Sequence, residues 1–175
     1  MRLLEKIKEL SVKKVLKEVA IFAVLLFLAT NVVSYFRAPK LPSNTIPSFT
    51  AKTLDGSEFV SLHVKEEKPL LIHFWATWCP TCKMENSTIE ALSKHFDVIT
   101  VAVNSGSDEE IKAFMQEKNL SFKVINDSNG TLASLFNVSG FPTSFIYDRN
   151  KKLEFSEIGY SSYPTLYLKL LFAGR

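Results

Sequence analysis

A chain of 175 residues, 46% hydrophobic and with 14 phenylalanines, has apolar side chains enough for one domain with its own core and is too short for two ordinary ones. Its formal net charge is +3, and residues 1–18 account for all of it, with Arg2, Lys6, Lys8, Lys13, Lys14 and Lys17 set against Glu5, Glu9 and Glu18. The remainder is neutral, which excludes the basic field that a nucleic-acid partner requires.

The basic lead-in runs into Val19 to Phe36, a stretch that is apolar except for Thr30, Asn31 and Ser34. At ~1.5 Å per residue it reaches the lower limit for crossing a bilayer core. Positive charge lies mainly before it, with only Arg37 and Lys40 just after, so the positive-inside rule keeps the amino terminus in the cytoplasm and sends the body across. A cleaved signal peptide is the rival reading, but no convincing small-x-small cleavage site follows the stretch and the charged lead-in is long. No cysteine comes soon after the stretch either, which argues against lipoprotein processing. The expected organisation is a lead-in and transmembrane anchor over 1–36, a proline-bearing linker over 37–45, and one domain over 46–175.

Within that domain, Phe49 to Thr53 and Glu58 to Leu62 flank a Leu-Asp-Gly-Ser turn, the pattern of a hairpin. Leu70 to Trp75 is a nearly continuous apolar run, suited to a strand buried on both faces. Helical spacing comes next over Thr81 to Phe96, with Pro80 where a first-turn proline is tolerated. Val98 to Val103 reads as a strand, Asp108 to Lys118 as a helix with acids in its first turn, and Phe122 to Ile125 as another strand. A short helix over Thr131 to Phe136, an antiparallel pair over Thr143 to Tyr147 and Lys152 to Ile158, and a closing helix over Pro164 to Phe172 complete the chain. Strands alternating with helices, then a hairpin and a helix, indicate an α/β domain with a central mixed sheet flanked by helices on both faces.

Both cysteines fall where a central strand gives way to a helix, in FWATWCPTCK. Two cysteines separated by two residues at a helix start lie one turn apart on one face, close enough for a reversible disulfide. Cys79 occupies the helix amino terminus, where unpaired N–H groups and the helix dipole stabilise a thiolate, and is the attacking nucleophile of such a pair. Cys82, one turn in, resolves the mixed disulfide. Covalent haem attachment needs a histidine where Lys83 stands, and structural zinc needs four ligands that two cysteines and the scattered His63, His73 and His95 do not supply. Copper(I) stays open as an alternative, because Cys79, Cys82 and Met84 are soft donors near one another in sequence. A purely structural disulfide closing a two-residue loop would constrain little of the unfolded chain. The P-x-x-x-T-x-x-C pattern of peroxiredoxins is absent, since Ile72 and Ala76 stand at its proline and threonine positions.

The segments FWATWCPTCKME, TLDGSEFVSL and VSGFPTSFIYD resemble thioredoxin-like proteins of the TlpA type, membrane-anchored disulfide oxidoreductases of the bacterial envelope. From Val101 through Pro142 the chain is most similar to the suppressor-of-copper-sensitivity D branch. The resemblance covers about residues 46 to 160. It implies a thioredoxin fold with a helix-strand insertion, for which Ser107 to Ile125 is the candidate, and a cis-proline at Pro142 facing the cysteines. It implies substrate contacts at Trp78, Pro80, Thr81, Phe141 and Pro142, with Trp78 shielding the thiolate and Trp75 in the core. No cofactor and no metal are implied. The partners implied are protein thiols and disulfides, and a membrane redox partner that recycles the cysteine pair. The location implied is the inner membrane, single-pass, with the catalytic domain on the periplasmic side.

Two departures qualify the resemblance. His73 stands where thioredoxin itself has a buried acid, and it is either a group that tunes proton transfer at Cys82 or a hydrogen-bonded core histidine. Relatives that reduce apocytochrome c carry a Gly-Val-containing insert with an acid near the active site. The equivalent stretch here, VAVNSGSDEE, displaces its acids into a helix start and points away from cytochrome maturation.

Overall fold

The computed structural model describes residues 14–22, 24–25, 43–61 and 68–175. The chain divides into two units, Met1–Arg37 and Ala38–Arg175. In the first, residues 14–22 and 24–25 are helical and exposed. Among the described residues no helix is long and apolar enough to cross a membrane. Most of the expected span over 19–36 lies outside them.

The second unit opens with a hairpin of β1 (Thr50–Lys52) and β2 (Glu58–Val60), which turns through Gly56 at a φ of 86° that glycine adopts without strain. Then come β3 (Leu70–Trp75), α1 (Pro80–Ser93), β4 (Asp97–Val103), α2 (Asp108–Glu117), β5 (Lys123–Asp127), α3 (Thr131–Leu135), β6 (Thr143–Tyr147), β7 (Leu153–Ile158) and α4 (Tyr163–Ala173). The five-stranded sheet has the order β5-β4-β3-β6-β7. Its β3–β4 and β4–β5 pairs are parallel, and β3–β6 and β6–β7 antiparallel. The expected mixed sheet is therefore present, with α2 and β5 in the stretch expected to hold the helix-strand insertion.

Local chemistry explains the boundaries. Every residue of β3 is buried because both its neighbours are strands and both its faces are covered. A capping box starts α2, in which the Ser107 hydroxyl accepts from the Glu110 N–H at 3.2 Å and the Glu110 carboxylate accepts from the Ser107 N–H at 2.7 Å. The one boundary that differs by nearly a full turn is the end of α1, at Ser93 rather than Phe96. There the Leu92 carbonyl accepts from both His95 and Phe96 N–H groups at 3.0 Å, tightening the last turn and delivering the chain into β4.

The sheet separates two cores. Leu71, Trp75, Val98 and Ala102 face α1 and α4, with Cys82, Ile89, Leu92, Leu166 and Leu170. On the other face Leu70, Ile72, Phe74, Val101, Phe145 and Tyr147 pack with Phe136 and Ile46. The segment from Asn44 to Ser61 crosses this second face as a belt. At one sheet edge Thr45 bridges to Lys152 and the Leu153 N–H donates to the Asn44 carbonyl at 2.6 Å. At the other edge Thr53 bridges to Ile125, and the Leu54 N–H donates to the Val124 carbonyl at 2.8 Å.

Candidate active site

The carboxyl end of β3 leads through Thr77 and Trp78 to Cys79, the N-cap of α1, with Pro80 next. An N-cap normally offers a side-chain oxygen to the first free N–H groups of its helix. Here the Cys79 Sγ does so, accepting from the Cys82 N–H at 3.2 Å. Its thiol points toward the Phe141 carbonyl, 3.8 Å away. Both cysteines are free thiols; Cys79 is 5% exposed and Cys82 fully buried. Burial foremost pushes the Cys82 thiol up, with smaller contributions from its hydrogen bond with Cys79 and from the negative charges of Cys79 and Glu85.

The surrounding loops hold this arrangement from two sides. Thr77 N–H donates to the Ser105 hydroxyl at 3.1 Å, and the Trp78 indole N–H donates to the Asn104 carbonyl at 3.0 Å. Trp78 is 57% exposed and meets Phe141 edge-on, with ring centroids 5.7 Å apart. The Phe141–Pro142 peptide is cis. The Gly159 N–H donates to the Pro142 carbonyl at 2.8 Å, and the Thr143 hydroxyl donates to the Gly140 carbonyl at 2.8 Å, which fastens the loop to the end of β7 and to itself. The structure thus brings Trp78, Cys79, Cys82, Phe141 and Pro142 together, with Pro80 exposed and Thr81 half-buried on the first turn of α1. Trp75 belongs to the core, where its indole N–H donates to the Thr100 hydroxyl at 3.1 Å.

Met84 does not join the cysteines. Two helical positions beyond Cys82 is about 200° around the axis, and Met84 is 68% exposed while Cys82 faces inward. The third soft donor of a copper site is therefore turned away from the other two. His95 is exposed, and His63 lies outside the described residues.

His73 sits mid-strand on the face of the sheet that carries the cysteines. Its Nδ1 lies 2.9 Å from the Ser144 hydroxyl, directly across the β3–β6 pairing, and its Nε2 has no hydrogen-bond partner among the described residues. Burial pulls its pKa down to about 3, so the imidazole is neutral at physiological pH.

The polar row continues along the sheet, since Ser144 pairs with Glu157. Glu157 accepts from the Ser161 hydroxyl at 2.6 Å and forms an ion pair with Lys169. Ser161 in turn donates its N–H to Glu85 at 3.3 Å. Motif reading misses Glu85. It lies on α1 three residues after Cys82, a spacing that puts both on the inward face, and it is fully buried. Burial, only partly offset by the Ser161 N–H, raises its pKa to about 8, and its Oε1 has no partner among the described residues. Helical spacing is the one sequence signal that could have flagged it. Asp108, Glu109 and Glu110 serve instead in the first turn of α2, where they complement its dipole.

The AhpC/TSA family profile matches residues 42–156. A thioredoxin-like protein of Haemophilus influenzae is 27% identical over 165 residues, covering 94% of this chain and 98% of that protein. Sporulation thiol-disulfide oxidoreductase A of Bacillus subtilis is 31% identical over 118 residues, covering 63% of this chain and 70% of that one. Among solved structures, a thiol:disulfide interchange protein of the thioredoxin family from Chlorobium tepidum superposes with a TM-score of 0.67 and 26% identity, over 78% of this chain and 99% of that chain. The domain therefore has the thioredoxin-like α/β fold.

Proposed function

The chain belongs to the AhpC/TSA family and is, like these relatives, a protein thiol-disulfide oxidoreductase; from that premise we propose that Cys79 and Cys82 exchange a disulfide with protein thiols outside the cytoplasm, on a domain held at the membrane by residues 1–36. The observation that carries the assignment of roles is the asymmetry of the pair. Cys79 caps α1 with 5% of its surface exposed and its thiol toward the Phe141 carbonyl, and Cys82 is wholly enclosed.

In the reducing direction the Cys79 thiolate attacks one sulfur of a substrate disulfide. A bond forms between Cys79 and that sulfur, and the other leaves as a thiolate. Cys82 then gives up its proton and attacks the Cys79 Sγ, which releases the second substrate thiolate and leaves the Cys79–Cys82 disulfide. The substrate has gained the two electrons that the pair has lost. In the oxidising direction every step reverses.

Burial makes the second proton hard to remove from Cys82, and Glu85, one helical turn away with a pKa of about 8, is the acceptor in its ionised form, so resolution speeds up as pH rises toward 8. His73, with its pKa of about 3, is a weaker acceptor, and any tuning by it acts through the polar row it forms with Ser144 on the cysteine face. Trp78, Pro80, Thr81, Phe141 and Pro142 form the contact surface for the substrate peptide. The exposed Trp78 ring supplies apolar area, and backbone groups at Phe141 are presented to an extended chain.

The TlpA-like resemblance, with the D branch nearest, supports an envelope location and recycling by a membrane redox partner. The basic lead-in and the apolar run over 19–36 support the anchor. Reduction of apocytochrome c is a second reading of the substrate, favoured by the buried acid Glu85 close to Cys82.

Trapping tests the roles. Cys82→Ser is expected to accumulate mixed disulfides through Cys79 with envelope proteins, visible as thiol-sensitive bands on non-reducing gels, whereas Cys79→Ser accumulates none. Bands that persist in Cys79→Ser, or stoichiometric copper(I) binding with no trapped protein, would refute the assignment.

A further inference from the structure

Besides the surroundings of the cysteines, α4 exposes a run of large apolar side chains. Leu166, Leu170 and Ala173 enter the core, whereas Leu168, Leu171 and Phe172 are 63%, 45% and 57% exposed. The spacing of 168, 171 and 172 makes one stripe along the helix. The Arg175 guanidinium lies 5.3 Å from the Phe172 ring, and Arg149 donates to the Gly174 carbonyl, so cations border the stripe.

This stripe runs toward one particular end of the domain. β3 and β6 are antiparallel, and the cysteines come after the carboxyl end of β3 while Arg149 and Lys152 come after the carboxyl end of β6. The contact between Arg149 and Gly174 brings the end of α4 to that same pole, away from the cysteines. There too the chain enters the domain, with Thr45 bridged to Lys152 and the Asn44 carbonyl bonded to the Leu153 N–H. Lys152 is exposed at this pole, three residues after Arg149, as is Glu154 at the start of β7. The nearby Asp148 has its carboxylate engaged by the Asn150 and Lys152 N–H groups at 2.8 Å, and Asp97 starts β4. The domain over 46–175 has 13 basic and 15 acidic residues, so these cations stand out against a slightly acidic body.

We propose that the Leu168–Leu171–Phe172 stripe, with Arg149, Lys152 and Arg175, docks on an anionic lipid surface, seating the domain with its cysteines directed away from the bilayer. The proposal rests on the anchor reading of residues 19–36. From the end of that stretch to Asn44 is eight residues at no more than ~3.5 Å each, roughly 28 Å in all, so the pole where the chain enters stays within that reach of the headgroups. Apolar side chains bordered by cations on one helix face are the pattern of an interfacial helix. Each cation contributes about a fivefold preference for an anionic over a neutral surface. The six residues of β3 then separate the reactive end from the docked pole by roughly 20 Å. A partner reached from this orientation presents its thiols in an extramembrane domain.

The test uses the full chain reconstituted in vesicles, with a photoreactive benzophenone amino acid at position 168 or, as the control near the cysteines, at position 84. In vesicles containing phosphatidylglycerol, irradiation is expected to give lipid adducts at 168 and at least tenfold fewer at 84. Arg149→Glu with Arg175→Glu, 1 M salt, or purely zwitterionic vesicles should each reduce the 168 adduct about tenfold, while thiol exchange is retained. A chain that floats with the vesicles yet gives no lipid adduct at 168 overturns the docking and leaves the anchor standing. Cross-links from 168 to a second copy, or to residues 37–42 of the same chain, overturn it by naming a different occupant. A chain that does not float overturns the anchor reading and the docking with it.

Discussion

The two faces of the sheet are made from alternate residues of the same strands and do different work. Along β3, Leu70, Ile72 and Phe74 turn to a core of aromatic rings, in which Phe74 lies 5.1 Å from Phe136 and 5.8 Å from Phe145. Leu71, His73 and Trp75 turn to the face that carries the cysteines, where His73, Ser144, Glu157, Glu85 and Thr100 are all buried. Both faces are held by apolar area removed from water, but the cysteine face also buries polar groups whose partners are incomplete among the described residues, His73 and Glu85. A buried group with a missing partner is a stability cost that an active site can use, because its proton affinity is set by its surroundings.

Phe74→Ala probes the apolar face and carries the largest expected effect. Removing a fully buried ring is expected to cost about 3–5 kcal/mol in urea unfolding. Thiol exchange per folded molecule should stay unchanged, and a changed rate would break the division between the faces.

Glu85→Gln comes next, with the opposite sign. Between about 4.5 and 8 the folded chain holds a proton on Glu85 that the unfolded chain has released, so stability falls as pH rises through this window. The variant should lose that slope and gain on the order of 3 kcal/mol at pH 8, read by unfolding at a series of pH values. It should also slow resolution of the mixed disulfide by Cys82, and an unaltered rate would remove Glu85 from the proton transfer.

His73 governs the acid side. Between about 3 and 6.5 the unfolded chain binds a proton that the folded chain refuses, so this contribution is complete above 6.5 and is lost as pH falls toward 3. Stability therefore declines toward acid through His73 and toward alkali through Glu85, and the two slopes oppose each other between about 4.5 and 6.5, which leaves a plateau there. His73→Asn should flatten the acid limb by about 2 kcal/mol, less than the full effect because a polar amide stays buried. An exchange rate identical to the parent would reduce His73 to a core residue. The smallest expected change is Ser144→Ala, which strips the His73 Nδ1 of its partner and should cost about 1–2 kcal/mol.

Strands were the most legible part of the chain. β3 and β6 match the sequence reading residue for residue, because both are buried along their whole length and a proline, Pro69 or Pro142, stands immediately before each. The end of α1 was not legible, since the apolar spacing continues to Phe96 while the backbone has already tightened at Leu92. Within the site, the cysteines and Pro142 announce themselves by motif. Glu85 does not, because its meaning depends on Ser161, 76 residues later, and on the loop that folds over it. Burial of a polar side chain is a tertiary fact, and helical spacing could only nominate the residue.

The belt from Asn44 to Ser61 also bears on the two edges of the sheet. An open sheet ends in strands whose free N–H and C=O groups can recruit another chain. Here one short segment shields the start of β7 and lies along β5, so both margins are guarded by residues next to the linker. These contacts join Thr45 to Lys152 and Thr53 to Ile125, across most of the domain's length. The earliest part of the domain to be synthesised therefore waits for the last strand before it can seal the sheet. Until then the nascent domain is open to self-association, and trimming the belt would leave a finished fold with two adhesive rims.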